Sequence, residues 1–348
     1  MFGSSSRIGA GLLAGPDVEA VGDAKEEGGV ATYSRTFADE LLPGTIEPLM
    51  WSAKASLVGG AWSRFLEGIV GTERTRSKAM VKQFHYRAYL DMTSLGSMLE
   101  RSGLPKDSLD RLLCDGDGSE KCLGTAQGMD ILLSLPSSVD FLLHFSVHSD
   151  GSRLFLQRLD EDLRRHAGED LSRLTDIELL LRVDDLTKSL EESSLLRVCI
   201  SFAARLFGNM LQARLREVGL EADSDLAMQE FEGLHLGSKR RLLLATHRRA
   251  ERMSLLKQMA IDLSALGDVV YAHYFQELGR RLEANELLAS PDDVFFLRLD
   301  EVRQVVAGGC AGNTCNNYRV RAAMRRREMI EAEGSTPPEV IRGDRPPV

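Results

Sequence analysis

The second half of the chain carries an apolar pattern that strongly limits its choice of fold. Between residues 171 and 218, apolar side chains recur at intervals of three and four, in the series Leu195, Val198, Cys199, Phe202, Leu206 and Met210. This spacing places them on one face of an α-helix, and that face needs a partner to cover it. Helical patterns over 137–167 and 238–284, and a basic helix over 318–333, are also predicted. The chain is therefore predicted to be mainly α.

Some segments break the helical pattern. Residues 33–52 contain two prolines and a glycine, which predicts an extended N-terminal loop before a helix that begins near Leu57. An extended piece is predicted over 85–92, and the run VFFLRL at 294–299 predicts a short β-like segment. The predicted fold is an irregular multi-helix domain with one or two short strands and an extended N-terminal loop.

Composition divides the chain into three parts. Residues 1–30 are rich in Gly, Ser, Ala and acidic residues, and they predict a flexible leader. Residues 31–334 hold the helical domain, and the 43% apolar content of the chain is enough for a sizeable core. Residues 335–348 are rich in proline and predict an extended tail.

Charge and cysteine content exclude several classes of protein. The net charge of −9 disfavours nucleic acid or an anionic membrane as the main partner. No run of eighteen apolar residues occurs, so no membrane span is expected. The five cysteines include no CxxC pair, which excludes a zinc ribbon and makes a disulfide framework improbable. A cytoplasmic location is expected.

Short motifs that suggest binding chemistry are each incomplete. GLHLGSK at 233–239 has its glycines too close together for a phosphate loop, and it fits a helix start better. DGDGSE at 115–120 lacks the glycine and the glutamate that a calcium loop needs, so a solvated turn is favoured. His144 and His148 are four residues apart, but no third metal ligand is evident. No metal site and no catalytic residue is predicted.

Several segments resemble the phosphoenolpyruvate-utilising enzymes, a family that includes phosphoenolpyruvate synthase, pyruvate phosphate dikinase and the rifampicin phosphotransferases. The segment after their ATP-grasp domain has a pattern that is matched here by Tyr33, Ser34, Arg35, Glu40, Pro43, Gly44, Pro48, Leu49 and Ser52. YRAYLDM at 86–92, ELGRRLEANELLASPDDVFFLRLDEV at 277–302 and PPEVIRGD at 337–344 are similar to later elements of the family.

The resemblance implies a role in phosphoryl transfer without a complete active site. Family members pass a phosphoryl group from an ATP-grasp domain to a histidine on a swivelling domain and then to an acceptor. This chain resembles only the central helical domain, and the TSHAA-type histidine motif is absent. ATP and Mg²⁺ are therefore implied for partner domains, and no cofactor is expected on this chain. Separately encoded ATP-grasp and phosphohistidine proteins are the expected partners, with a small-molecule acceptor. A non-catalytic interaction or regulatory protein, or a gene fragment, is the alternative.

Candidate substrate-binding residues follow from the same resemblance. Arg35, Arg87 and the basic helix would neutralise phosphoryl charge. Pro43 and Gly44 would form a sharp turn that buries Trp51 and presents Arg35 and Glu40 near the domain junction. Trp51, Trp62 and Tyr89 could line an apolar acceptor pocket, while core packing is the favoured role of the two tryptophans.

Overall fold

Two helices of more than forty residues each dominate the fold. The computed structural model describes residues 31–35, 38–70, 80–101, 149–217, 237–308 and 313–343. The chain divides into two units, Met1–Val30 and Ala31–Val348, and the described residues belong to the second. They form the helices α1 (Ala38–Leu41), α2 (Pro48–Val70), α3 (Met92–Arg101), α4 (Ser149–Ala167), α5 (Asp176–Glu217), α6 (Gly237–Ala284), α7 (Leu299–Val306) and α8 (Asn313–Glu333). The predicted mainly α fold class is confirmed.

The core lies where α5 packs along α6 and against α2. Buried side chains from both long helices fill it, including Val183 and Leu186 on α5 and Tyr271 and Phe275 on α6. Among the described residues, the stretch Asp176–Arg216 of α5 is long and apolar enough to cross a membrane, yet half of its apolar window is buried in this core. A core helix passes the same test, so the stretch is weak evidence for a membrane span.

Most of the predicted helix positions agree with the structure. The stripe over 171–218 belongs to α5, and the predicted helix over 238–284 is α6. Helix α4 accounts for the end of the segment predicted over 137–167, whose first residues lie outside the described part. Helix α2 begins at Pro48 rather than near Leu57, because proline is favoured in the first turn of a helix, where its missing N–H costs nothing.

A small sheet packs against the first helices of this body. Its strands are β1 (Thr32–Ser34), β2 (Val81–Phe84), β3 (Arg87–Asp91) and β4 (Val340–Arg342), in the order β2-β3-β1-β4. All neighbouring strands are antiparallel. The extended piece predicted over 85–92 is therefore confirmed as β3. The predicted extended tail over 335–348 contains β4, which pairs with β1.

The sheet separates the main core from a small aromatic cluster. Side chains alternate between faces along a strand, so Ala88 and Leu90 face the helical body. Tyr89 lies on the other face with Tyr33, Phe84 and Ile341. Because Arg87 and Tyr89 are two residues apart in β3, their side chains lie on the same face of the sheet.

The run VFFLRL is not a strand. Pro291–Phe296 forms a 3₁₀ helix, and α7 follows after Arg298. The backbone N–H of Ser290 donates to the carboxylate of Asp293, at 3.1 Å, which fixes the start of the 3₁₀ helix. The apolar residues of the run fit because Val294 and Leu297, three residues apart, are both fully buried.

A glycine in the ELGRRL segment allows α6 to approach this 3₁₀ helix closely. A Cβ atom at Gly279 would lie 2.2 Å from the carbonyl oxygen of Pro291 and 3.0 Å from Val294 Cγ1. No real side chain fits such a space. Two residues later, the guanidinium of Arg281 donates to the carbonyls of Leu171, at 2.8 Å, and Leu174, at 2.6 Å. Gly279 therefore allows close packing, and Arg281 caps backbone carbonyls.

Candidate functional site

The predicted binding residues Arg35, Arg87 and Tyr89 lie near one another at the edge of the aromatic cluster. Arg35 Nε lies 2.8 Å from a carboxylate oxygen of Asp39. Burial raises the pKa of Asp39, and the charges of Arg35 and Arg87 oppose that rise. Burial also raises the pKa of Tyr89, again against the attraction of both arginines. We call Arg35, Asp39, Arg87 and Tyr89 the β3 charge cluster.

The β3 charge cluster holds the C-terminal segment on the sheet. The hydroxyl of Tyr89 donates to the carbonyl of Pro338 at 2.8 Å, and the backbone N–H of Arg35 donates to the carbonyl of Glu339 at 2.9 Å. Tyr89 is completely buried, so it offers no surface to a ligand. Arg87 Nε is buried and has no hydrogen-bond partner in the described part of the chain. The geometry therefore assigns this cluster mainly to anchoring the chain.

The structure does not bring the three predicted aromatic residues into one pocket. Trp62 is 5% exposed and packs edge-on against Phe65 in the main core, and Tyr89 lies on the far face of the sheet. Trp51 is eleven positions before Trp62 on α2, which separates them by about 16 Å along the helix axis. Trp51 is only partly buried, although the sequence predicted that the turn at Pro43 and Gly44 would bury it. The side chain of Glu40 lies outside the described part.

Trp51 lies instead at a cavity of about 250 Å³ beside the turn between β2 and β3. Three regions of the chain contribute its walls, which consist of Pro48, Trp51, Gln83, His85, Tyr86, Arg298, Arg325 and Glu328. We call this space the hairpin cavity. Most of these residues were not predicted as site residues, although Tyr86 and Arg298 stand inside segments that carry the family resemblance.

The β2–β3 turn that borders the cavity has an unusual backbone. His85 and Tyr86 both have positive φ angles, 48° and 59°. A two-residue hairpin turn of this kind normally uses Asn and Gly, because a larger side chain is strained at positive φ. The turn is held by a hydrogen bond of 2.7 Å from the backbone N–H of Ile46 to the carbonyl of Tyr86. It places the exposed side chain of His85 at the cavity.

Some of the charged side chains around the hairpin cavity have a partner among the described residues, and one does not. The guanidinium of Arg325 donates to both carboxylate oxygens of Glu301, at 2.6 and 3.0 Å. Burial would raise the pKa of Glu301, but these hydrogen bonds hold it below its usual range. The hydroxyl of Tyr86 donates to Glu328 at 2.8 Å, and burial together with this bond raises the pKa of Tyr86. In contrast, the exposed side chain of Arg298 makes no ion pair with any described residue.

The remaining sequence motifs add no site in the described residues. Helix α6 begins at Gly237, in agreement with a helix start rather than a phosphate loop at 233–239. The segment 115–120 and the histidines at 144 and 148 lie outside the described part. Within the described ranges, no group of three His, Cys, Asp or Glu side chains is arranged to hold a metal ion.

No family model matches the chain, and no curated protein matches it.

Proposed function

We propose that this protein is the central scaffold and acceptor-binding component of a split, ATP-dependent phosphotransferase that resembles phosphoenolpyruvate synthase. In this proposal, separately encoded proteins supply the ATP-grasp domain, with ATP and Mg²⁺, and the phosphohistidine domain. The chain itself contributes no covalent catalyst. It holds the acceptor in the hairpin cavity, where Trp51 and Arg298 lie.

The observation that supports the proposal is the meeting of the segments that carry the family resemblance. Tyr33 of the first segment pairs with Asp91 of the second and with Ile341 of the last. The hydroxyl of Ser52 accepts a hydrogen bond of 2.8 Å from the backbone N–H of Leu299, in the third segment. Segments separated by about three hundred residues thus form one contiguous region, as expected if they were retained for a common task.

A domain without a catalytic residue can still contribute to phosphoryl transfer. Catalysis of this reaction depends mainly on positioning and on neutralising charge, and little covalent chemistry is required of the protein. An acceptor held at the hairpin cavity would lie beside the cation of Arg298. This cation has no ion-pair partner among the described residues, so it is free to meet an anion.

The proposal is tested by purifying the tagged 348-residue chain from its source cells and identifying the proteins that accompany it by mass spectrometry. We expect an ATP-grasp protein and a phosphohistidine-domain protein in comparable amounts. Mixing the three with labelled ATP should then label a histidine of the second partner. Recovery of the chain alone, folded and monomeric, would contradict the proposal and leave the alternative of a non-catalytic interaction or regulatory protein.

A pair of arginine substitutions tests the role of the cavity in the reconstituted system. Arg298→Ala should lower acceptor-dependent ATP consumption, because it removes the free cation at the cavity. Arg327→Ala removes the same charge from an exposed position on α8 that does not line the cavity, so it should leave turnover unchanged. If the two substitutions change acceptor-dependent ATP consumption equally, the cavity is not the site that holds the acceptor.

A further inference from the structure

We propose that the hairpin cavity binds a small organic acid with a single carboxylate on a planar apolar ring. The inference names the class of acceptor and therefore rests on the proposed function for its biological meaning. Binding itself requires no partner protein and no ATP, so it can be measured on the chain alone.

The charge of the cavity favours one negative group on the ligand. Of the two arginines at its wall, Arg325 is ion-paired with Glu301, a carboxylate that also pairs with Arg321, while Arg298 makes no ion pair among the described residues. The carboxylate of Glu328 is also present and accepts a hydrogen bond from Tyr86. A dianion such as phosphate would bring a second charge close to Glu328 without a second free cation to pair with it. A monoanionic carboxylate matches the guanidinium of Arg298, which can hold it by two parallel hydrogen bonds.

The other side of the cavity favours a flat apolar group. Pro48 and Trp51, one turn apart at the start of α2, provide apolar surface, and Trp51 is only partly buried by the core. Aromatic side chains pack favourably against aromatic rings of a ligand. The volume of about 250 Å³ is enough for one ring with a carboxylate.

The strained turn gives a reason why His85 and Tyr86 stand where Asn and Gly would be more stable. Both residues are strained by their positive φ angles, and such strain is often associated with function. The side chains of both residues line the cavity, and Tyr86 bonds to Glu328. An Asn-Gly turn would have neither the imidazole nor the phenol at this wall. The imidazole of His85 can give the carboxylate a further hydrogen bond beside the two from Arg298.

The experiment measures binding of benzoate to the full-length chain by tryptophan fluorescence. The chain has two tryptophans, and Trp62 is buried, so a ligand at the cavity reports through Trp51. We expect saturable quenching with a dissociation constant on the order of 1 mM. Benzyl alcohol has the same ring without the charge, and it should bind about tenfold more weakly. Inorganic phosphate should also bind more weakly than benzoate.

Matched variants locate the binding. Arg298→Ala should weaken benzoate binding at least ~fivefold, whereas Arg327→Ala should leave it unchanged. Trp51→Phe should abolish the fluorescence response, with calorimetry then reporting binding directly. Equal binding of benzyl alcohol and benzoate, tighter binding of phosphate, or equal losses in the two arginine variants would each overturn the inference. If Arg298→Ala does not fold, the comparison of ligands on the unaltered chain decides the question.

These outcomes are separable from a failure of the proposed function. Absence of benzoate binding together with recovery of the phosphotransfer partners would overturn the ligand class alone. Selective benzoate binding without those partners would leave the cavity as a ligand site and contradict the proposed phosphotransfer role.

Discussion

Replacement of Gly279 by alanine tests the close approach of α6 to the 3₁₀ helix Pro291–Phe296. The new Cβ would lie 2.2 Å from the carbonyl oxygen of Pro291, whereas carbon and oxygen atoms that are not bonded approach to about 3.3 Å. The backbone around Pro291 must therefore move by about 1 Å. A backbone carbonyl cannot rotate aside as a flexible side chain can, so the strain spreads into the packing of Val294.

The magnitude follows from two opposing effects. Overpacking a core contact costs about 1–3 kcal/mol, and the rigid obstacle places Gly279→Ala at the upper end of this range. Alanine regains about 1 kcal/mol through its higher helix propensity. We expect a net loss of about 2 kcal/mol in the free energy of unfolding. Gly208→Ala, also inside a long helix but with nothing within 4 Å of the added methyl, should instead gain up to about 1 kcal/mol.

The assay is urea unfolding followed by circular dichroism, with both variants compared with the unaltered chain. Gly267→Ala provides an intermediate case, because the atoms nearest to its Cβ belong to the side chain of Leu190, at 3.2 Å, rather than to a backbone. We expect the order of stability Gly208→Ala, Gly267→Ala, Gly279→Ala, from highest to lowest. A Gly279→Ala chain as stable as the unaltered one would refute the close approach.

Other substitutions test three further features. Glu277 has a pKa of about 2, held down by hydrogen bonds from Arg280 and Arg281, so its stabilising effect is complete above pH 4.5 and is lost as the pH falls towards 2. Glu277→Gln should lower the free energy of unfolding by about 1 kcal/mol at pH 7, allowing for solvent screening. It should also reduce the loss of stability between pH 4.5 and 2, as measured by unfolding at each pH. The same loss of stability in the variant and the unaltered chain would contradict this. Tyr89→Phe removes the hydrogen bond to Pro338, so it should weaken the anchoring of the C-terminal segment by about 1 kcal/mol and increase tryptic cleavage there roughly fivefold. Tyr86→Phe should leave the rate of this cleavage unchanged. Glu286→Gly should raise the free energy of unfolding by about 1 kcal/mol, because the residue lies in the C-terminal cap just past α6 at a φ of 59°. A decrease in the unfolding midpoint would refute this.

The long helices were predictable because their signals are local. The apolar residues of α5 repeat over several turns, and the spacing alone identifies the buried face. The run at 294–299 was misassigned because an apolar stretch of this length fits a strand equally well. A 3₁₀ helix is favoured here by two features, the hydrogen bond from Ser290 to Asp293 and the burial of Val294 against α6. The latter is a tertiary contact that the sequence does not display.

The site could be predicted only in part for the same reason. Arg35, Arg87 and Tyr89 are near one another, but β4 was not predicted, since its partner β1 lies about three hundred residues earlier in the chain. The role of these residues in anchoring the C-terminal segment was therefore not visible. The walls of the hairpin cavity come from α2, the β2–β3 turn and the region around α7 and α8. Arg298 reads as an ordinary exposed arginine until these elements are placed together.

The pairing of β1 with β4 has a consequence for the design of the protein as a module. The backbone N–H of Gly343 donates to the carbonyl of Ala31 at 2.7 Å, so the two ends of the described body are hydrogen-bonded neighbours. Adjacent strands are about 5 Å apart, a gap that a few residues can bridge. A circular permutant that joins these ends and opens the chain at another surface turn should keep the fold. The same geometry would let the body be inserted into a loop of a host protein without stretching that loop apart.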